Sequence, residues 1–154
     1  MKNLIVLLLL ILLFSSFCKK ENPISDSPLT VSQILTDGAW IQAQYLEDSD
    51  GDGVFTDESR TCELDNTWVF DDNASKSMSY NDIGDLCAPQ VGPITIEGFW
   101  DLKENDQVLN VYLSHGSIQD DYTIASISDS LLVLHYIDPV DPTAAIKQKL
   151  VLER

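Results

Sequence analysis

Residues 94–113 read Ile94-Thr95-Ile96-Glu97-Gly98-Phe99-Trp100-Asp101-Leu102-Lys103-Glu104-Asn105-Asp106-Gln107-Val108-Leu109-Asn110-Val111-Tyr112-Leu113. Ile94, Ile96, Trp100 and Leu102 recur with a period of two, the spacing of a strand with one buried face. Lys103-Glu104-Asn105-Asp106 then supplies polar residues suited to reversing the chain, and a second apolar run, Val108–Leu113, follows at once. A link this short joins antiparallel neighbours.

The same pattern extends in both directions. Candidate strands are Trp40–Leu46, Thr67–Phe70, Lys76–Tyr80, Ile94–Leu102, Val108–Leu113, Asp121–Ile127, Leu131–Ile137 and Ile146–Leu152, eight in all. Ser114-His115-Gly116-Ser117 and Ser128-Asp129-Ser130 are further short turns. In the last strand Ile146, Gln148, Leu150 and Leu152 share one face, opposite Lys147, Lys149 and Val151. No long helix is evident; Val31, Ile34 and Leu35 suit only a short N-terminal helical turn, placed to plug an end of the fold. Eight sequential strands with one buried face close most simply into an all-β, antiparallel up-and-down barrel, which removes exposed edges. An open two-sheet sandwich is the alternative.

The chain begins with a basic residue, Lys2, an apolar run from Leu4 to Phe14, and Ser15-Ser16-Phe17-Cys18-Lys19-Lys20-Glu21. This is the pattern of a secretory signal, and the run is too short to span a bilayer that needs about 20 apolar residues. The segment resembles a bacterial lipobox, in which the leader, here 1–17, is cut off before a lipid-modified cysteine, here Cys18. Phe17 departs from the small residue usual before that cysteine. Cys18-Lys19-Lys20-Glu21 resembles the outer-surface export signal of Bacteroidota lipoproteins. The resemblance implies a protein anchored by lipid to the outer membrane and exposed at the surface; an ordinary cleaved signal is the other reading. Residues 18–29, with Pro23 and Pro28 among polar residues, read as a flexible tether, and 30–154 as the domain.

About 137 residues remain after the leader, enough for one domain with its own core. The net charge of −16 becomes one unit more negative without Lys2 and argues against nucleic acid, whose phosphates need a basic face. With Cys18 assigned to lipid, Cys62 and Cys87 are left as a disulfide pair in an oxidising compartment. Two lone cysteines and two distant histidines lack the paired spacing of a zinc site.

Gly38-Ala39-Trp40 matches the Gly-x-Trp signature of lipocalins, whose tryptophan closes the base of a barrel. With Cys62-x-x-Asp65-Asn66-x-Trp68-x-Phe70, Cys87, Gly98-Phe99-Trp100, Tyr122-Thr123-Ile124 and Leu131-Leu132-Val133-Leu134, residues 30–154 resemble the lipocalin-like lipoprotein domains of Bacteroidota. The turn Asp71-Asp72-Asn73-Ala74-Ser75 lacks the glycine frequent there, and no arginine that would brace the barrel end is evident. The resemblance implies an eight-stranded barrel able to hold a small hydrophobic ligand.

Asp48-Ser49-Asp50-Gly51-Asp52-Gly53-Val54-Phe55-Thr56-Asp57-Glu58 carries the strongest chemical motif. Carboxylates at loop positions 1, 3 and 5 (Asp48, Asp50, Asp52) converge on Ca²⁺ when glycine at position 6 allows the turn, and position 7, Val54, offers its carbonyl. Position 12, where a bidentate acid should close the site, is Ser59; the nearest acids are Asp57 and Glu58, and Glu58 is taken as the closing ligand. A solvated acidic turn is the competing reading. His115 and His135 lack the partners of a catalytic constellation, so no enzyme is expected. Trp40, Trp68, Phe70 and Trp100 are the candidate barrel lining, either as core or as the wall of a ligand cavity. The function expected is a non-enzymatic envelope lipoprotein carrying a small hydrophobic molecule. The alternative is a structural or interaction module with a filled barrel and a calcium-stiffened loop.

Overall fold

A computed structural model describes residues 28–82, 84–87, 92–114, 118–138, 140 and 146–154. The leader, Cys18, most of the tether and His115 lie outside these. Thr30 caps a single helical turn, α1 (Val31–Leu35): its hydroxyl accepts from Gln33 N–H and its own N–H donates to the Gln33 side chain. Among the described residues nine strands follow: β1 (Ala39–Glu47), β2 (Thr56–Asp57), β3 (Thr67–Phe70), β4 (Ser77–Asp82), β5 (Ile94–Lys103), β6 (Val108–Leu113), β7 (Ile118–Ile127), β8 (Leu131–Tyr136) and β9 (Gln148–Glu153).

From β3 to β9 each strand pairs antiparallel with the next, and β9 returns to β1, whose other edge meets β3. The barrel is therefore closed, with eight staves, as the alternation predicts. The ninth element, β2, is a two-residue extension that pairs with Leu46 and Glu47 of β1 beyond the point where β3 ends its pairing. Its brevity hides it from sequence patterning.

The interior is packed at one end. Leu35, Trp40, Phe70, Met78, Trp100, Leu109, Leu132 and Leu152 are buried there, around the starts of β1, β4, β6 and β8 and the ends of β3, β5 and β9. Gly98 admits close approach of β5 to β6: a Cβ at this position would meet the Tyr112 carbonyl oxygen at 2.1 Å.

The same end carries a lock. Gly38 takes a φ of 114°, open to glycine, and turns the chain so that Trp40 enters the base. The Trp40 indole N–H donates to the Leu35 carbonyl at 2.9 Å, tying β1 to α1. Above the ring, 4.0 Å from its centroid, lies the Arg154 guanidinium, which also donates to the carbonyls of Ile34 and Asp37 and pairs with the Asp37 carboxylate. The bracing arginine that the sequence does not reveal is thus Arg154, brought across the fold by the β1–β9 seam. In the glycine-free turn after Phe70, left-handed backbone falls on Lys76 (φ 49°), whose ammonium pairs with Asp72 and sits 4.6 Å from the centroid of the Trp100 ring.

Candidate functional site

Towards the other end the interior is left open as a cup of about 290 Å³. Its wall is Gln42, Tyr45, Glu63, Trp68, Tyr80, Ile96, Leu113, Tyr122, Tyr136, Gln148, Lys149 and Leu150. All but Glu63 come from strands: the middle of β1, the starts of β3, β5 and β9, the later parts of β4, β6 and β8, and the middle of β7.

Of the four aromatics expected to line the barrel, only Trp68 borders the cup. Trp40, Phe70 and Trp100 point inward too, but one level lower, where they fill the packed base; Phe70 and Trp100 meet edge-to-face with centroids 5.9 Å apart. Strand alternation gives the side of the wall and says nothing of height along the barrel axis. The aromatic wall of the cup is instead mostly tyrosine.

Two ring pairs build that wall: Trp68 with Tyr80 at 5.4 Å and 75°, and Tyr122 with Tyr136 at 5.9 Å and 67°. Asn66 donates to the Tyr80 hydroxyl, and the Tyr122 hydroxyl donates to Asp120 at 3.5 Å. Burial and the nearby charges of Asp82 and Glu63 push the Tyr80 phenol up to about 12. Burial, then Asp120, raises Tyr122 and Tyr136, and burial with Glu47 and Glu63 raises Tyr45. All four therefore stay neutral through the physiological range. The Trp68 indole N–H is buried without a partner.

A raised phenol favours the folded state while it stays protonated. Above 10.0 the unfolded chain ionises first, so stability falls as pH rises from about 10 towards 12. Phenolate absorbance in a pH titration is expected to show a fraction of the tyrosines ionising only as the protein unfolds. Five tyrosines titrating reversibly near 10 with the fold intact would contradict the buried wall.

Glu63 is held at the rim by a short 3-10 turn (Thr61–Glu63), in which Arg60 pairs with its carboxylate. Next to it, Cys62 forms a disulfide with Cys87, with Cα atoms 5.0 Å apart, as the cysteine count predicts. The bridge fastens the segment before β3 to the segment after β4. His135 is on the opposite side of β8 from Tyr136, in register with Lys149, and burial together with Lys149 lowers its pKa.

The acidic loop joins β1 to β2. Asp48, Asp50 and Asp52 each bring a carboxylate oxygen within 4.8 Å of the others. Asp48 is 1% exposed and accepts backbone N–H groups of Gly51, Asp52 and Gly53 at 2.8–3.1 Å. Burial opposes its ionisation, but those three donors and Asp50 outweigh it and hold its pKa below the usual value. Glu58 is not gathered with the three aspartates: its carboxylate accepts from Thr56, and its N–H donates to the Tyr45 carbonyl, because β2 carries the chain back along β1. Ser59, at the twelfth position, uses its hydroxyl to accept from Tyr45 N–H at 2.7 Å. Val54 has its N–H on Asp52 and its side chain in solvent.

A closed antiparallel barrel, sealed at one end and hollow at the other, is the architecture of eight-stranded barrels with room for one small molecule. The family model for the lipocalin-like domain matches residues 36–134, and the chain belongs to that family. None of the curated proteins matches the chain.

Proposed function

We propose that the chain is a lipid-anchored lipoprotein of the Bacteroidota type, which holds a small hydrophobic molecule in its barrel at the outer membrane. The observation that carries the ligand-binding part is the cup: about 290 Å³ of space walled by tyrosines, one tryptophan and aliphatics, with a few polar groups. Ligand sites are hollows of this composition. The filled-barrel alternative accounts for the base but not for this space. The anchor rests on the sequence alone, on Cys18 after its apolar leader. Binding, not catalysis, is the role assigned.

Native mass spectrometry of gently purified protein tests the ligand. A mass excess over the acylated polypeptide that disappears on denaturation is expected; protein that is always ligand-free and refuses small apolar probes would sink the reading. Metabolic labelling with a fatty-acid analogue tests the anchor, since Cys18→Ala should abolish incorporation.

Calcium at the Asp48-Asp50-Asp52 loop is the accompanying proposal, supported by three converging carboxylates and weakened by a Glu58 that stays outside the group. Extracellular sites of this kind bind at about 10⁻⁴–10⁻³ M. Millimolar calcium is therefore expected to raise the melting midpoint by a few degrees relative to chelator. Asp50→Asn with Asp52→Asn should erase that difference while sparing the Asp48 hydrogen bonds. An unmoved midpoint in the native chain removes calcium from the account.

A further inference from the structure

The rings and charges of the cup narrow its ligand. Tyr45, Trp68, Tyr80, Tyr122 and Tyr136 present five aromatic side chains to one space. A cation within about 6 Å of such ring faces is drawn by their quadrupoles, most strongly once dehydrated. Carboxylates stand around the rings: Glu63 in the wall, Asp120 on the Tyr122 hydroxyl, and Asp82, buried two residues from Tyr80 on β4 with its Oδ1 unpartnered. Two cationic side chains also stand there. Lys149, itself in the wall, keeps its charge over the Phe55 ring at 3.4 Å, and Arg60 offsets Glu63 by pairing with it, so the bias towards a cation rests on the ring faces with Asp82 and Asp120 behind them.

Size sets the second limit. An apolar cavity of about 150 Å³ takes one benzene, so the cup has room for roughly twelve non-hydrogen atoms. That is two fused rings with a small substituent, and too little for a long acyl chain.

We propose that the cup selects a compact organic cation of about a dozen non-hydrogen atoms, over neutral and anionic molecules of the same shape. This rests on the ligand-binding reading above and gives it a charge. A fatty acid is disfavoured twice, by its length and by a carboxylate that the ring faces repel, with Asp82 and Asp120 behind them.

Calorimetric titration of the purified full chain with 1-methylquinolinium, 1-methylnaphthalene and 1-naphthoate separates charge from shape. The cation is expected to bind about ten- to thirtyfold tighter than its neutral isostere, with the anion weakest. Tyr136→Leu and Asp120→Asn should each reduce cation affinity severalfold and leave the neutral compound within about twofold. Equal or tighter binding of the neutral or anionic compound overturns the proposal while leaving ligand binding intact. Failure of all three at millimolar concentration removes both. If a variant does not fold, the comparison in the native protein still decides.

Discussion

Trp40→Ala is expected to lower the unfolding free energy by about 4 kcal/mol or more. Removing a buried indole from a core typically costs about 3–5 kcal/mol in lost transfer energy and residual cavity. Trp40 is fully buried, and its loss also deprives the Leu35 carbonyl of its indole donor and the Arg154 guanidinium of the ring beneath it. Domains of this size are stable by about 5–15 kcal/mol, so a large share of the variant would be unfolded under mild denaturant. Trp40→Phe keeps a ring under Arg154 but cannot donate to Leu35, and should cost roughly 1–2 kcal/mol. Urea titrations followed by far-UV circular dichroism measure both; a Trp40→Ala loss below about 1.5 kcal/mol would mean that the base collapses around the gap.

Replacing Cys62 and Cys87 together by serine is expected to cost about 3.5 kcal/mol on the chain-entropy view, the bridge closing a loop with a sequence separation of 25. The second consequence is local. Glu63, adjacent to Cys62, stands in the cup wall, so loosening the turn should weaken ligand affinity beyond what global stability explains. Melting with and without reductant gives the first effect, and titration of the folded variant gives the second. A melting midpoint unchanged by reductant would show that the neighbouring packing alone fixes the segment.

The barrel can be read from the chain because most of its runs alternate and short turns join most of them, as in Ile94–Lys103 and Val108–Leu113. The cup could not. In β1 the register slips between Gln42 and Gln44, so Trp40 and Gln42 face inward on even numbers and Tyr45 on an odd one. Alternation extrapolated from Trp40 would put Tyr45 outside. Tyr80 and Tyr122 do sit on the inward face of their strands, but nothing local states how far along the axis they lie. Arg154 was hidden for a different reason, since its partners Ile34 and Asp37 belong to the other end of the sequence. The grouping of the three aspartates is legible from their spacing, whereas Glu58 falls outside the group because a two-residue strand redirects it.

The seam between β1 and β9 also bears on when the barrel can form. It joins Ile41 to Glu153 and Glu47 to Gln148, across roughly a hundred residues of chain. Until β9 is available, one edge of β1 has no partner, Arg154 is not over Trp40, and the base is unsealed. Contacts of such long range must overcome loop-closure entropy before they return any energy, which makes closure a late and comparatively slow event. If the chain is exported as proposed above, that delay would keep it unclosed, and so pliable, until its final strand has crossed.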